Sequence, residues 1–302
     1  MMGLSALIKR NTKMFFKDKG LFFTSLITPM ILLVLYATFL SNVYEDSLMS
    51  GIPAQIKISD EVIGALVGGQ LMSSLLAVSC VTVSFCSNML MVQDKVTGAC
   101  RDLRITPVKS STMALGYYIA TAISTLIICF LATGACFIYL ASIGWYLSLS
   151  DVLFILLDVF IITMFGVALS SVINFFLSTQ GQTSAVGSIV SSCYGFICGA
   201  YMPIASFADG LQNVIMFLPG TYATGLLRNH CLGGALEALA NEGAPAEVVK
   251  GIADGIDCNL YLFDTQLTTS NMYAVVVCSV LVLIGAYVIL NVVSSKRASR
   301  VK

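Results

Sequence analysis

Six apolar segments divide the chain: Leu21–Leu40, Val62–Met91, Thr112–Ile143, Val152–Leu177, Ser184–Met202 and Met272–Val293. A bilayer core takes about twenty apolar residues per helix, so each segment reads as a membrane span. The second and third exceed that length and are expected to tilt or project into water. Leu21–Leu40 is too long for the apolar core of a signal peptide, and no A-x-A site follows it. Ahead of it, Leu4, Leu7, Ile8, Met14 and Phe15 share one helical arc, and Lys9, Arg10, Lys13 and Lys17 the opposite one. That pattern predicts an interfacial helix over residues 4–17.

The polar interruptions are as informative as the spans. Between the second and third spans, Met91–Tyr118 carries Lys95, Arg101, Arg104 and Lys109 with Asp94 and Asp102 among them. It reads as a charged helical hairpin. After the fifth span the pattern is apolar but broken. Phe207–Leu218 is followed by Pro219-Gly220 and then Thr221–Cys231. Neither half is long enough to span, and such lengths predict re-entrant or interfacial helices. Residues 233–270 read as a small acidic region in which Pro245 opens a helix, AEVVKGIAD, ending near Gly255.

Composition and charge place these elements. The chain has 302 residues, 57% hydrophobic and 11% charged, where a soluble domain carries about a quarter charged residues. Net charge is zero, which argues against nucleic acid as a partner. Thirteen of the sixteen lysines and arginines fall in the N-terminal stretch, the hairpin and the C-terminal tail; Lys57, Arg228 and Lys250 lie elsewhere. The intervening loops hold most of the acids. By the positive-inside rule both termini and the hairpin are cytoplasmic.

Asp158 is the acid well inside a span, and an ionisable group there costs a few kcal/mol unless protonated, paired or hydrated. It reads as a substrate or proton contact, or as a packing carboxyl bonded to a neighbouring helix. Gly64–Gly68 and Gly195–Gly199 allow close helix approach, within the chain or at a homodimer seam. His230, the single histidine, makes no metal site by itself and reads as a surface residue. Most cysteines lie in apolar segments as small packing residues. Cys231 and Cys258 share one polar loop and are the pair able to bridge there. LSTQGQ at 177–182 matches an ATP-binding-cassette signature by chance, since no phosphate-binding G-x-x-x-x-G-K-[ST] occurs. No constellation for catalysis appears, and no metal or cofactor is expected on this chain.

With no ATPase site of its own and one charged hairpin, the chain is expected to take its energy from another subunit. At this point it resembles the ABC-2 type permeases of ATP-binding cassette exporters, over essentially its whole length. The resemblance starts at RNTKMFFKDKGLFFTSLITPMILL, with Lys19-Gly20 before the first span and Pro29 within it. It is most specific in DKVTGACRDLRITPVKSSTMALG, at Asp94-Lys95, Gly98, Leu103, Thr106-Pro107 and Gly116. Ala99-Cys100-Arg101 replaces the acid usual there. Pro203 closes the fifth span, and LPGTYATGLLR is similar to the family's Asn-Pro-x-x-Tyr…Arg segment at Pro219, Tyr222 and Arg228, with Leu218 for the asparagine.

The resemblance implies an all-α membrane domain over residues 1–302. It would have six spans, a connecting helix over 4–19 with Lys9, Arg10, Lys13 and Lys17, and a cytoplasmic coupling helix within 94–109. That hairpin would present Asp94, Lys95, Gly98, Arg101, Asp102, Leu103, Arg104, Thr106 and Pro107 to a separate ATP-binding subunit carrying ATP and Mg. Residues 203–270 would hold re-entrant helices and an extracytoplasmic region, with Pro203, Pro219, Tyr222 and Arg228 at an outer gate. Two permease chains, as a homodimer or heterodimer, would export a hydrophobic or amphipathic drug-like or lipid-like molecule from a bacterial inner or plasma membrane. Export of a lipid-linked glycan or an ion is the alternative within the family. A proton-coupled carrier using Asp158, or a membrane protein that transports nothing, lies outside it.

Overall fold

The computed structural model describes residues 2–35, 38–39, 41, 44–45, 48–49, 58–262 and 265–300. The helices are α1 (Met2–Lys17), α2 (Lys19–Leu35), α3 (Asp60–Ser87), α4 (Met89–Thr97), α5 (Ala99–Ile105), α6 (Ser110–Ile143), α7 (Leu149–Phe176) and α8 (Gln180–Ile197). They continue with α9 (Asp209–Ile215), α10 (Pro219–Asn241), α11 (Ala246–Gly255) and α12 (Thr269–Arg300). A two-residue hairpin pairs β1 (Tyr261–Leu262) with β2 (Thr265–Gln266).

Local chemistry sets the starts. Ser59 caps α3, with Asp60 and Glu61 in its first turn. Ser148 and Asp151 form a capping box on α7, as Thr179 and Gln182 do on α8. These side chains satisfy amides that a helix leaves without partners, and the acids complement the dipole. Pro219 takes the first position of α10 and Pro245 precedes α11, where a missing N–H costs nothing.

α3 is the central post, buried along almost its whole length. Lipid is as apolar as a leucine core, so helix association there rests on close approach rather than on escape from water. Glycines provide it. A β-carbon at Gly64 or Gly68 would strike Ile143 or Leu140 of α6. One at Gly69 would lie 2.7 Å from the carbonyl oxygen of Cys231 on α10. The Gly64–Gly68 pair is therefore a seam within the chain. Gly195 faces Tyr201 of the same chain, and Gly199 takes a left-handed conformation.

Among the described residues, four helical stretches are long and apolar enough to cross a membrane: Asp60–Thr97, Ser110–Ile143, Leu149–Phe176 and Thr269–Ser294. The α1–α2 pair, bent by 75°, makes a fifth if taken as one span. Of the six spans expected, length and composition support four or five among the described residues. The fifth apolar segment forms α8, but its glutamines and serines dilute its apolar character. The far end of the first segment, at Tyr36, Ala37 and Leu40, lies outside the described residues.

The two ends of the bundle differ. At one end Glu242 accepts bonds from Ser59, Glu61 packs on Gly144, and Tyr146 packs on Gly234. At the other, α1 packs on the start of α6 through Leu7 against Gly116, beside α4 and α5. Leu7, Asn11 and Phe15 of α1 are buried while Lys9, Lys13 and Lys17 are exposed. The helix expected at the membrane interface packs one face on protein, and Met14, expected on its apolar arc, is exposed.

Candidate functional site

The hairpin is built by one glycine and two charged anchors. α3 runs on into α4 past Asn88, whose amide donates to Ser170 and Ser171 Oγ on α7, each at 3.0 Å. Gly98 at φ 87° then turns the chain into α5, a conformation that glycine adopts without steric cost. Asp94 is buried. It takes a two-pronged ion pair from Arg10 of α1, at 2.7 and 3.0 Å, and a bond from Tyr117 Oη of α6 at 2.5 Å. Lys95 Nζ donates to the carbonyls of Asn174, Phe175 and Leu177 at 2.8–2.9 Å. It thereby caps the negative end of the α7 dipole. Arg101, Asp102, Thr106 and Pro107 remain exposed, with Ile105 at 82% exposure and Val96 at 51%.

A second polar layer lies toward the acidic end. Arg228 of α10 is 1% exposed. Its Nη1 pairs with Asp257 at 2.8 Å, and its Nη2 donates to the Gly199 carbonyl. Asp257 also accepts from Ile204 N at 2.9 Å. Burial pushes the Asp257 carboxyl up, and Arg228 and the Ile204 amide oppose that shift. Two residues further along α10 the elements are tied differently. Asp158 of α7, fully buried, faces His230 Nδ1 at 2.6 Å and accepts from Tyr273 Oη of α12. The His230 ring stacks on Phe154 with centroids 4.9 Å apart.

Between α7, α8, α10 and α12 lies an apolar cavity of about 480 Å³, bounded by Phe165, Tyr194, Ile197, Pro219, Val282 and Leu283 among others. Ser184, Ser188 and Ser192 form an exposed hydroxyl row along α8. A helix meant to face lipid on all sides would not carry such a row.

A model of the ABC-2 type transporter family matches residues 2–231. The chain belongs to that family. No curated protein matches it. It is accordingly a multi-pass ABC transporter permease, the transport component rather than the ATPase, and permeases of this family usually work with an ATP-binding subunit.

Against that identity, the residues expected from sequence separate into groups. In the permease hairpin Asp94 and Lys95 are engaged inside the bundle, Leu103 is half-buried, and Arg101, Asp102, Thr106 and Pro107 face outward. Arg104 lies within α5. Arg10 leaves the row of exposed lysines on α1 to join Asp94. Pro203 precedes a short 3-10 turn, Ile204–Ser206. Tyr222 is buried and donates to the Met216 carbonyl.

The stretch expected as two short halves is uneven: α9 has 7 residues and α10 has 23, reaching Asn241. Residues 233–241, assigned to a polar region, thus belong to α10, packed on α3. His230, expected at the surface, is held by Asp158 and Phe154. The partners of Asp158 are therefore an imidazole and a phenol. Cys231 and Cys258 are both buried and free. Sequence reasoning missed Asp257 and Tyr273. One signal was available: Arg228 and His230 stand in the apolar run GLLRNHCL, and polar groups in such a run need partners.

Proposed function

We propose that the chain is the permease subunit of an ATP-driven exporter for hydrophobic or amphipathic molecules, with residues 1–302 acting as one permease domain. A separate ATP-binding subunit, carrying ATP and Mg, docks on α5 and its flanks. The observation that carries this reading is the division of labour in the hairpin. Asp94 and Lys95 are spent on fixing it to α1, α6 and α7. Its outer surface keeps Arg101, Asp102 and an 82%-exposed Ile105 for contact. An exposed large apolar side chain ringed by charge is a docking feature. A push on α5 passes through Asp94 and Lys95 into three other helices. The basic end with both termini is then cytoplasmic, as expected in a bacterial inner or plasma membrane.

The apolar cavity favours drug-like or lipid-like cargo over a glycan or ion. The serine row of α8 suits a second permease chain, and a pathway between the two copies. In this reading α8 completes the set of spans, and residues 203–262 close the outer mouth.

The test is co-purification followed by transport. The tagged chain should bring down an ATP-binding protein, and proteoliposomes of the pair should move a labelled hydrophobic probe only with ATP. Reversal of Arg101 and Arg104 to Glu should uncouple hydrolysis from transport while leaving insertion intact. Absence of an ATP-binding partner, with transport driven by a proton gradient, would instead favour a carrier using Asp158.

A further inference from the structure

We infer that Asp158, His230 and Tyr273 form a proton-binding site that holds α10 against α7 and α12. The three residues come from three helices and meet at a fully buried carboxylate. The imidazole is clamped flat on Phe154, with interplanar angle 13°, and its centroid lies 6.3 Å from the Tyr273 ring. The His230 side chain is 14% exposed while that of Asp158 is 0% exposed, so a proton reaches the cluster through the imidazole.

Charge makes the proton consequential. With His230 neutral and Asp158 ionised, the cluster holds one negative charge in a dry site, relieved by hydrogen bonds alone. Transfer of a proton from water to the free nitrogen of the imidazole turns the contact into an ion pair of zero net charge. A buried charge is costly when unpaired and tolerable when paired and hydrogen-bonded. The protonated cluster therefore favours the closed contact, and the deprotonated cluster favours hydration and separation of α10.

Few other groups compete for this role. Cys231 of α10 neighbours Asp158, with Cys136 of α6 and Cys258 of the outer segment beyond it. Asp151, about two turns away on α7, is committed to Ser148. Arg228 is turned onto Asp257. On α3, Cys80 Sγ points at the Val159 carbonyl. On α11, Glu247 and Lys250 are exposed, and Asp254 accepts from Asn259 and Tyr261. Among the described residues, no lysine or arginine is placed to neutralise Asp158, so its charge balance rests on His230.

Because His230 is the single histidine, histidine-specific isotope labelling reports this site alone. The full chain in lipid nanodiscs is followed by nitrogen NMR of the imidazole and by hydrogen exchange of α10, corrected for the intrinsic rate. Across a pH interval that covers the ordinary imidazole range, the nitrogen signals should show the doubly protonated ring give way to the singly protonated one. Exchange at residues 226–234 should rise about tenfold over the same interval, a weakening of the contact by about 1.4 kcal/mol. Asp158→Asn should abolish the pH dependence of exchange, and Tyr273→Phe should retain it with higher exchange throughout. A ring in one protonation state across the interval would overturn the proposal. So would α10 exchange in the unaltered chain that ignores the ring's change, a result that needs no variant to fold. The test involves no ATP-binding partner, so the proton site and the exporter reading fail separately.

Discussion

Among the described residues the permease carries two arginine–aspartate pairs, one toward each end, and they are built for different conditions. Arg10–Asp94 at the basic end has its arginine side chain 30% exposed. Arg228–Asp257, toward the acidic end, has both partners nearly dry, at 1% and 6%. The chemistry is the same, yet the first pair sets a buried Asp94 against an arginine that still meets water, and joins helices at the surface expected to receive force. The second is locked among α10, the turn at Gly199–Ile204 and the segment that follows α11. When the first pair opens, Arg10 can turn to water and Asp94 keeps the bond from Tyr117. A dry pair is costly to break, because each charge it leaves has neither water nor partner.

The sharpest way to break this comparison is to remove one member of the dry pair. Asp257→Ala leaves Arg228 uncompensated and should cost about 3–5 kcal/mol, read as loss of thermal stability of the purified chain. Replacing both members with apolar residues of similar volume should cost much less. If single and double replacements cost the same, the penalty does not come from a stranded charge.

Asp94→Ala should cost less, about 1–3 kcal/mol, because Arg10 then turns to water. Equal losses for Asp94→Ala and Asp257→Ala would show that burial does not separate the pairs. A smaller effect is expected from Lys95→Met, about 0.5–1 kcal/mol, with faster hydrogen exchange confined to the end of α7. The smallest concerns Glu242 at the acidic end, whose carboxyl is held below its usual range by bonds from Ser59 Oγ and N. A lowered folded value means that this contact stabilises the fold above the ordinary glutamate range near about 4.3. It is lost as pH falls through the lowered value. Glu242→Gln should flatten that part of the stability profile, and an unchanged profile would remove the contact from the account.

The pairs also show how far the sequence could be read. Counting lysines and arginines brought α1 and the hairpin to one end, and the structure joins them through Arg10 and Asp94. Apolar runs located the helices, and Pro219 and Pro245 marked two starts, because these signals are local. The partner of a buried charge is not local. Arg228 and Asp257 are 29 positions apart, and Asp158 and His230 are 72 apart. No periodicity encodes such a meeting. The rule applied to Asp158, that a polar group in an apolar run needs a partner, names Arg228 and His230 as well. In sequence their stretch reads as a short outer helix, and only the full 23-residue α10 shows them to be inside the bundle.

The central claim is that force enters this permease through α5. Ile105→Glu places a charge on the most exposed apolar side chain of the hairpin and touches neither Asp94 nor Lys95. The most direct measurement is affinity capture of the tagged chain from its native membrane, with and without this substitution, scored for the ATP-binding subunit. The account predicts at least about a tenfold loss of that subunit, one lost contact of roughly 1.4 kcal/mol, with thermal stability unchanged. Full retention of the subunit by a stably folded Ile105→Glu chain would contradict it.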